Sequence, residues 1–262
     1  MDLNLIGRHA LVCGASEGIG RAAAHELALL GANVTVLARR ADVLADVSAA
    51  LPCVTAGQRH GSIALDVADA AALKANVAAL AAANPVHILV NNTGGPPGGR
   101  AIDAAADAYL AAFQRHLLAN QALVQATLLG MRDAGWGRIV NVISTSVKEP
   151  IANLGVSNTI RGAVASWAKT LSRELAPDGI TVNNVLPGYT RTQRLEQILR
   201  DRVQASGKDE AAVSAAMLAT VPAGRFAEPG EIAAAIAFLA SPAAGYITGV
   251  SLAVDGGRMQ SI

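Results

Sequence analysis

Two rhythms of apolar residues alternate along the chain. Short, nearly unbroken apolar runs occur at His9 to Ala15 (HALVCGA), Asn33 to Arg39 (NVTVLAR), Gly61 to Val67 (GSIALDV), Val86 to Asn92 (VHILVNN), Gly137 to Ser144 (GRIVNVIS) and Gly179 to Pro187 (GITVNNVLP). Runs this short, several rich in β-branched residues, predict strands buried on both faces. Between them lie longer stretches with helical spacing, among them IGRAAAHELALLGA, which Gly31 stops, ADVLADVSAAL and DAAALKANVAALAAA. Strand and helix in regular alternation predict an α/β fold, a doubly wound parallel sheet with helices on both faces.

The glycine and proline clusters NNTGGPPGGR and LPGYTRTQ fall directly after apolar runs, where such a sheet keeps its ligand loops. Linker-like stretches and internal repeats are lacking, so residues 1–262 read as a single domain. A net charge of +1 with 16% charged residues gives no cationic excess for a phosphate backbone, and nucleic acid is not an expected partner. Cys13 and Cys53 have no metal-ligand spacing, so no metal is expected and both read as reduced packing residues. The start, MDLNLIGRHALVCG, is broken by Gly7, Arg8 and His9, unlike a secretory leader, and no apolar run reaches the ~18 residues of a membrane span. A cytoplasmic protein without a membrane partner is the expectation.

CGASEGIG sets Gly14, Gly18 and Gly20, with Ser16, Glu17 and Ile19, between the first strand and the first helix. Glycine lets the backbone turn sharply against a pyrophosphate, and the helix start offers it free N–H groups. A strand before and a helix after favour dinucleotide binding over an ordinary tight turn. The stretch resembles the TGxxxGxG motif of the classical short-chain dehydrogenase/reductases, with Cys13 in place of threonine. LDV, with Asp66 and Val67, resembles that family's adenine-contacting site, and NNTG, with Asn92 and Gly94, its NNAG motif. PGYTRT, with Pro187, Gly188 and Thr192, is similar to its PGxxxT segment beside the nicotinamide, and GRFAEPGEIAAAIAFLASPAAGYITGVSLAVDGG to its last helix and strand. Five motifs in order imply a Rossmann-type sheet of about seven strands and a nicotinamide cofactor.

Which nicotinamide cofactor is read at the end of the second strand, where a carboxylate would accept hydrogen bonds from a free ribose 2′-OH. Here Ala38 is followed by Arg39 and Arg40, suited to a 2′-phosphate, so NADP(H) is expected; the plainer reading is a solvated helix start.

The resemblance also assigns the chemistry. The family uses a serine, a tyrosine thirteen residues later and a lysine four beyond it, with an asparagine on an earlier helix holding a water relay. Ser144 matches the serine; the count then lands on Ser157 and Arg161, and the asparagine position on His116. Four apart on a helix, Ser157 and Arg161 share one face. An aliphatic hydroxyl is a far weaker acid than a phenol and a shorter arm, and arginine stays protonated, so the pair does not supply the family's proton unaided. Substitute donors are His116, which has a core role as its plainer reading, Lys148, otherwise a surface charge beside Glu149, and Tyr189, otherwise an apolar loop anchor. Ser146 is a hydrogen-bonding aid to Ser144.

Two functions are expected from these residues. One is an NADP(H)-dependent oxidoreductase acting on a carbonyl or alcohol with rebuilt proton delivery; the other is a catalytically silent NADP(H)-binding subunit or sensor. Resemblance to the family's acyl-carrier-protein ketoreductases implies a homotetramer (or dimer) and an acyl or hydrophobic ketone substrate. Residues 190–222 are expected to form a helical lid that moves as a unit over that substrate.

Overall fold

The computed structural model describes residues 1–261. Seven parallel strands form one sheet: β1 (His9–Cys13), β2 (Asn33–Ala38), β3 (His60–Ala64), β4 (Ile88–Asn91), β5 (Gly137–Val142), β6 (Ile180–Pro187) and β7 (Ser251–Val254), in the order β3-β2-β1-β4-β5-β6-β7. The order reverses between β1 and β4, and there the loops at the carboxyl ends diverge and open a crevice.

Alternation along each strand explains why both faces must be covered. On β1, Ala10 and Val12 point into a core shared with α1 (Gly18–Leu29), α2 (Ala41–Ala49) and α9 (Pro229–Leu239). Leu11 and Cys13 point the other way, into a core shared with α3 (Ala70–Ala83), α5 (Ala119–Asp133) and α6 (Gly155–Leu175). The central strands β1, β4 and β5 are buried throughout, whereas the edge strands β3 and β7 are only partly so. The strand at β3 ends at Ala64, three residues before the apolar run does, so Asp66 and Val67 belong to the loop at the crevice. Gly31 follows the end of α1 at φ +94°, a left-handed conformation that a side chain resists, and a Cβ there would meet Ile6 at 2.6 Å.

A row of buried amides fixes the register of the strands that deliver the site. Asn91 donates to Asn141 (2.9 Å), Asn141 to Asn184 (3.0 Å) and Asn184 to the Ser251 hydroxyl (3.1 Å), across β4, β5, β6 and β7. A slip by one residue would strand these polar groups in the core, so the ladder specifies alignment as well as contributing hydrogen bonds. At the opposite, amino end of the sheet, the Trp136 ring lies between the guanidiniums of Arg8 and Arg138, each with its carbon 4.2 Å from the ring centroid. Arg138, at 3% exposure, also donates to the carbonyls of Gly137 (2.8 Å) and Ser241 (3.3 Å).

Three expectations change. The segment over the crevice is two helices, α7 (Gln193–Ser206) and α8 (Glu210–Leu218), broken where Gly207 takes φ +66° and Asp209 caps the second. Leu195, Leu199, Val213, Met217 and Phe226 bury one another, which gives the pair a small core of its own. Cys13 is fully buried, its thiol pushed up to about 12 by burial, but Cys53 is exposed and donates to the Gln58 carbonyl at 3.8 Å. His116 lies on a π-helical turn, Gln114–Leu118, inserted between α4 (Ala106–Phe113) and α5. The extra residue in that turn rotates the helix face on which His116 sits.

Candidate active site

A cleft of about 740 Å³ opens at the carboxyl ends of the strands. Its first half is built from backbone. Gly14, at φ +60°, brings the chain so close to Asn92 that a Cβ would lie 2.5 Å from the Asn92 carbonyl oxygen, and a Cβ on Gly20 would collide with the Gly14 carbonyl. Asn92 Nδ2 in turn donates to that carbonyl at 3.2 Å, tying the turn to the end of β4. Gly18 opens α1 at φ +55° with the Thr192 methyl 3.0 Å from where its Cβ would be. The result is a cradle of N–H groups at a helix start, with room for an anionic group close to the backbone. Ser16, Glu17, Gly18 and Ile19 line it; Gly20, buried behind them, makes the close packing possible.

Farther along, Ala38, Arg39, Arg40, Asp66 and Val67 line the same half. Arg40 donates to Glu17 at 2.6 Å and to the Ser16 hydroxyl at 3.3 Å, while Arg39 is exposed and makes no ion pair among the described residues. Asp66 spends one carboxylate oxygen on the Ala68 N–H (3.0 Å), which holds the loop in place. Thr93 and Gly94, Pro187, Gly188 and Thr192 complete the path toward the cleft's centre.

The centre carries Ser144, Ser157 and Arg161 together. The Ser144 hydroxyl accepts the Ser146 backbone N–H at 3.1 Å, so the help from Ser146 comes from its amide; the Ser146 hydroxyl itself is buried without a partner. Arg161 is buried, and its guanidinium bridges two strand ends, donating to the Val142 carbonyl (2.8 Å) and the Thr93 carbonyl (3.4 Å). Burial, with Arg194 nearby, lowers it to about 10, so it remains a cation at neutral pH. Its Nε is buried with no partner among the described residues.

The substitute donors fare differently. His116 is 3% exposed, does not line the cleft, and shares a 2.6 Å hydrogen bond with the Thr93 hydroxyl. Burial first, then the charges of Arg161 and Arg115, push it down to about 3, leaving it neutral across the physiological range. Lys148 is exposed and also off the cleft wall. Tyr189 does line the cleft, edge-on to Phe226 with centroids 6.1 Å apart.

Sequence reasoning missed the far wall. Arg194 and Arg202 on α7, and Arg258 from the chain's end, line the cleft beside Tyr189, interleaved with Ile151, Leu154 and Ile198. A hydrophobic ketone implies an apolar wall, but this one is cationic in part. Arg194, Ile198 and Arg202 recur every four residues along α7, a spacing visible in QRLEQILRDR. Nothing local marks Arg258, which arrives from a distant part of the chain.

Comparisons with known proteins agree with this architecture. Residues 14–258 match the family described as enoyl-(acyl carrier protein) reductase. The chain is 36% identical over 258 residues to the 3-oxoacyl-[acyl-carrier-protein] reductase of Vibrio harveyi, covering 97% of this chain and 98% of that one. It superimposes on the L-sorbose reductase of Gluconobacter frateurii complexed with NADPH and L-sorbose, with a TM-score of 0.92, 30% identity and full coverage of both chains. It likewise superimposes on an actinorhodin polyketide ketoreductase variant with NADPH, with a TM-score of 0.90, 32% identity and coverage of 97% and 98%. The chain belongs to the classical short-chain dehydrogenase/reductase family of oxidoreductases.

Proposed function

We propose that the protein is an NADP(H)-dependent oxidoreductase that acts on a carbonyl or alcohol substrate and delivers the proton by a route other than a tyrosine and lysine pair. The observation that carries this reading is the continuity of the cleft from the glycine cradle, past Arg39, to Ser144, Ser157 and Arg161. When bound, the nicotinamide supplies the hydride. The Gly14–Gly20 turn would hold the pyrophosphate, Arg39 with Arg40 and Ser16 the 2′-phosphate, Asp66 and Val67 the adenine, and Arg161 a ribose hydroxyl. That the sorbose reductase and the polyketide ketoreductase bind NADPH supports the choice of cofactor.

Ser144 is the residue for the substrate oxygen, its hydroxyl oriented by the Ser146 amide. Ser157, standing where the family places tyrosine, offers a hydroxyl that binds but is too weak an acid to protonate an alkoxide at useful rates. Among the described lining residues, no histidine, lysine or cysteine accompanies Tyr189, which leaves its phenol or a water as proton source. Self-association as a homotetramer or dimer belongs to the same reading; exposed apolar side chains on α4 and α5, Leu110 and Leu129 among them, support it.

A silent NADP(H)-binding subunit is the second reading, favoured by the uncharged state and inward position of His116. Two measurements test the proposal. NADPH binds at least ~10-fold more tightly than NADH in a fluorescence titration, and Arg39→Asp erases the difference, as expected for loss of a charge-assisted contact; equal affinities in the unaltered protein overturn the cofactor choice. Incubation with NADPH and a panel of ketones, β-ketoacyl thioesters and quinones consumes the reduced nicotinamide; tight binding with no turnover on any of them selects the silent subunit.

A further inference from the structure

We propose that the substrate carries a carboxylate or phosphate, and that Arg194, Arg202 and Arg258 form its anion-binding wall around Tyr189. The inference rests on the oxidoreductase reading for the identity of the site and adds the substrate's chemical class.

Three guanidiniums line the cleft together with Tyr189. Arg258 has its guanidinium carbon 4.9 Å from the Tyr189 ring centroid, and Arg202 reaches the same ring at 5.9 Å. Arg194 lies against Gly95 and donates to the Pro96 carbonyl at 2.8 Å. Other arginines near the cleft do form ion pairs: Arg191 with Glu228, Arg200 with Glu196, Arg225 with Glu231. None of the three wall arginines has a carboxylate within ion-pair distance among the described residues. The acids that act on them, Asp201 on Arg194 and Glu149 with Arg258, lie off the cleft wall, and Glu149 is occupied by the N–H groups of Gln260 and Ser261.

A hydrogen bond places one of these arginines next to Ser144. Arg258 donates through Nη1 to the Thr145 hydroxyl at 3.2 Å, and its Nε is buried with no partner among the described residues. Cations lining a cleft favour an anionic ligand there, and a guanidinium binds carboxylate or phosphate oxygens through paired N–H groups. The cofactor does not account for this wall, because the glycine cradle and Arg39 serve its phosphates at the other end of the cleft. Thr145 follows Ser144 directly, so an anion on Arg258 sits a short distance along the substrate from the oxygen held by Ser144. A short ketone or alcohol bearing a carboxylate or phosphate fits, with its planar or tetrahedral oxygens suited to guanidinium forks.

Matched pairs of ligands test this on the full chain. With the protein saturated with NADP⁺, so that the 2′-phosphate site is filled, calorimetry compares levulinate with methyl levulinate and dihydroxyacetone phosphate with dihydroxyacetone. In at least one pair the anion binds ~10-fold or more tightly than its neutral partner, and the pair in which it does so distinguishes carboxylate from phosphate. Arg258→Gln and Arg194→Gln each remove most of that advantage, Arg258→Lys retains part of it, and thermal melts of each variant verify folding. Absence of an anion advantage in both pairs, or an advantage that survives both glutamine replacements, overturns the proposal. Failure of the cofactor reading shows separately, as failure of NADP⁺ to saturate; the pairs are then compared on Arg39→Asp, which removes the competing anion site, and the same outcomes decide.

Discussion

The half of the cleft around the glycine turn is made from backbone, and the half around Tyr189 from side chains. In the first, the decisive atoms are main-chain N–H groups, and the glycines matter for what they lack: a Cβ at Gly14 or Gly20 would strike the chain itself. In the second, arginines from α7 and from the C-terminal end meet over Tyr189, held by a small core separate from the two that sandwich the sheet. Backbone built to one geometry tolerates almost no substitution, while a wall of long side chains on its own helical pair changes without disturbing the sheet.

The sharpest way to break this contrast is Gly14→Val. A β-branched residue at φ +60° with a 2.5 Å approach to Asn92 costs about 3 kcal/mol or more, so a thermal melt shows marked destabilisation and NADPH binding is lost. Binding that survives would mean the cradle is less rigid than its geometry implies.

An acid titration of stability comes next. His116 is held at about 3 in the folded chain against an ordinary 6.5, so the unfolded chain binds more protons between those values. Its contribution to stability is full above about pH 6.5 and is lost as the pH falls toward 3, a change on the order of a few kcal/mol. His116→Gln flattens that part of a denaturant-derived profile between pH 6.5 and 4, and leaves the pH dependence of any turnover between pH 6 and 8 unaltered. A turnover limb near neutral pH that disappears in this variant would restore His116 as the donor.

The smaller effects separate the remaining donors. Tyr189→Phe lowers turnover by about 10²-fold if its phenol delivers the proton, the scale of a positioned acid, and leaves NADPH affinity unchanged; an unaltered rate assigns the step to water. Lys148→Ala changes rate and stability within about 0.5 kcal/mol, as expected of an exposed charge off the cleft wall. A large loss would place Lys148 in the chemistry after all.

The same division governs which parts of the molecule are legible in its sequence. The sheet is legible because its signal is periodic and local: short buried runs alternate with helical spacing, and both faces of β1 are filled as the runs require. The glycine turn is legible because it needs a residue type that has few other reasons to recur at that spacing. His116 passes for a donor in the sequence because burial is a tertiary property: only the packed fold sets it against the Thr93 hydroxyl and near the charge of Arg161. Arg258 is invisible for a related reason, since it lies 113 positions from the Thr145 hydroxyl to which it donates. The break at Gly207 does carry a local signal, glycine followed by the capping Asp209, but the amphipathic stretch on either side of it masks the interruption.

At the far end of the sheet, the Trp136 ring gripped by Arg8 and Arg138 faces no part of the cleft. Parallel strands give the molecule a polarity, with recognition gathered at one pole and cohesion at the other. For anyone reshaping this protein, the two can be altered separately: substitutions around Trp136 are expected to act on the stability of the fold, and those on α7 on the cleft.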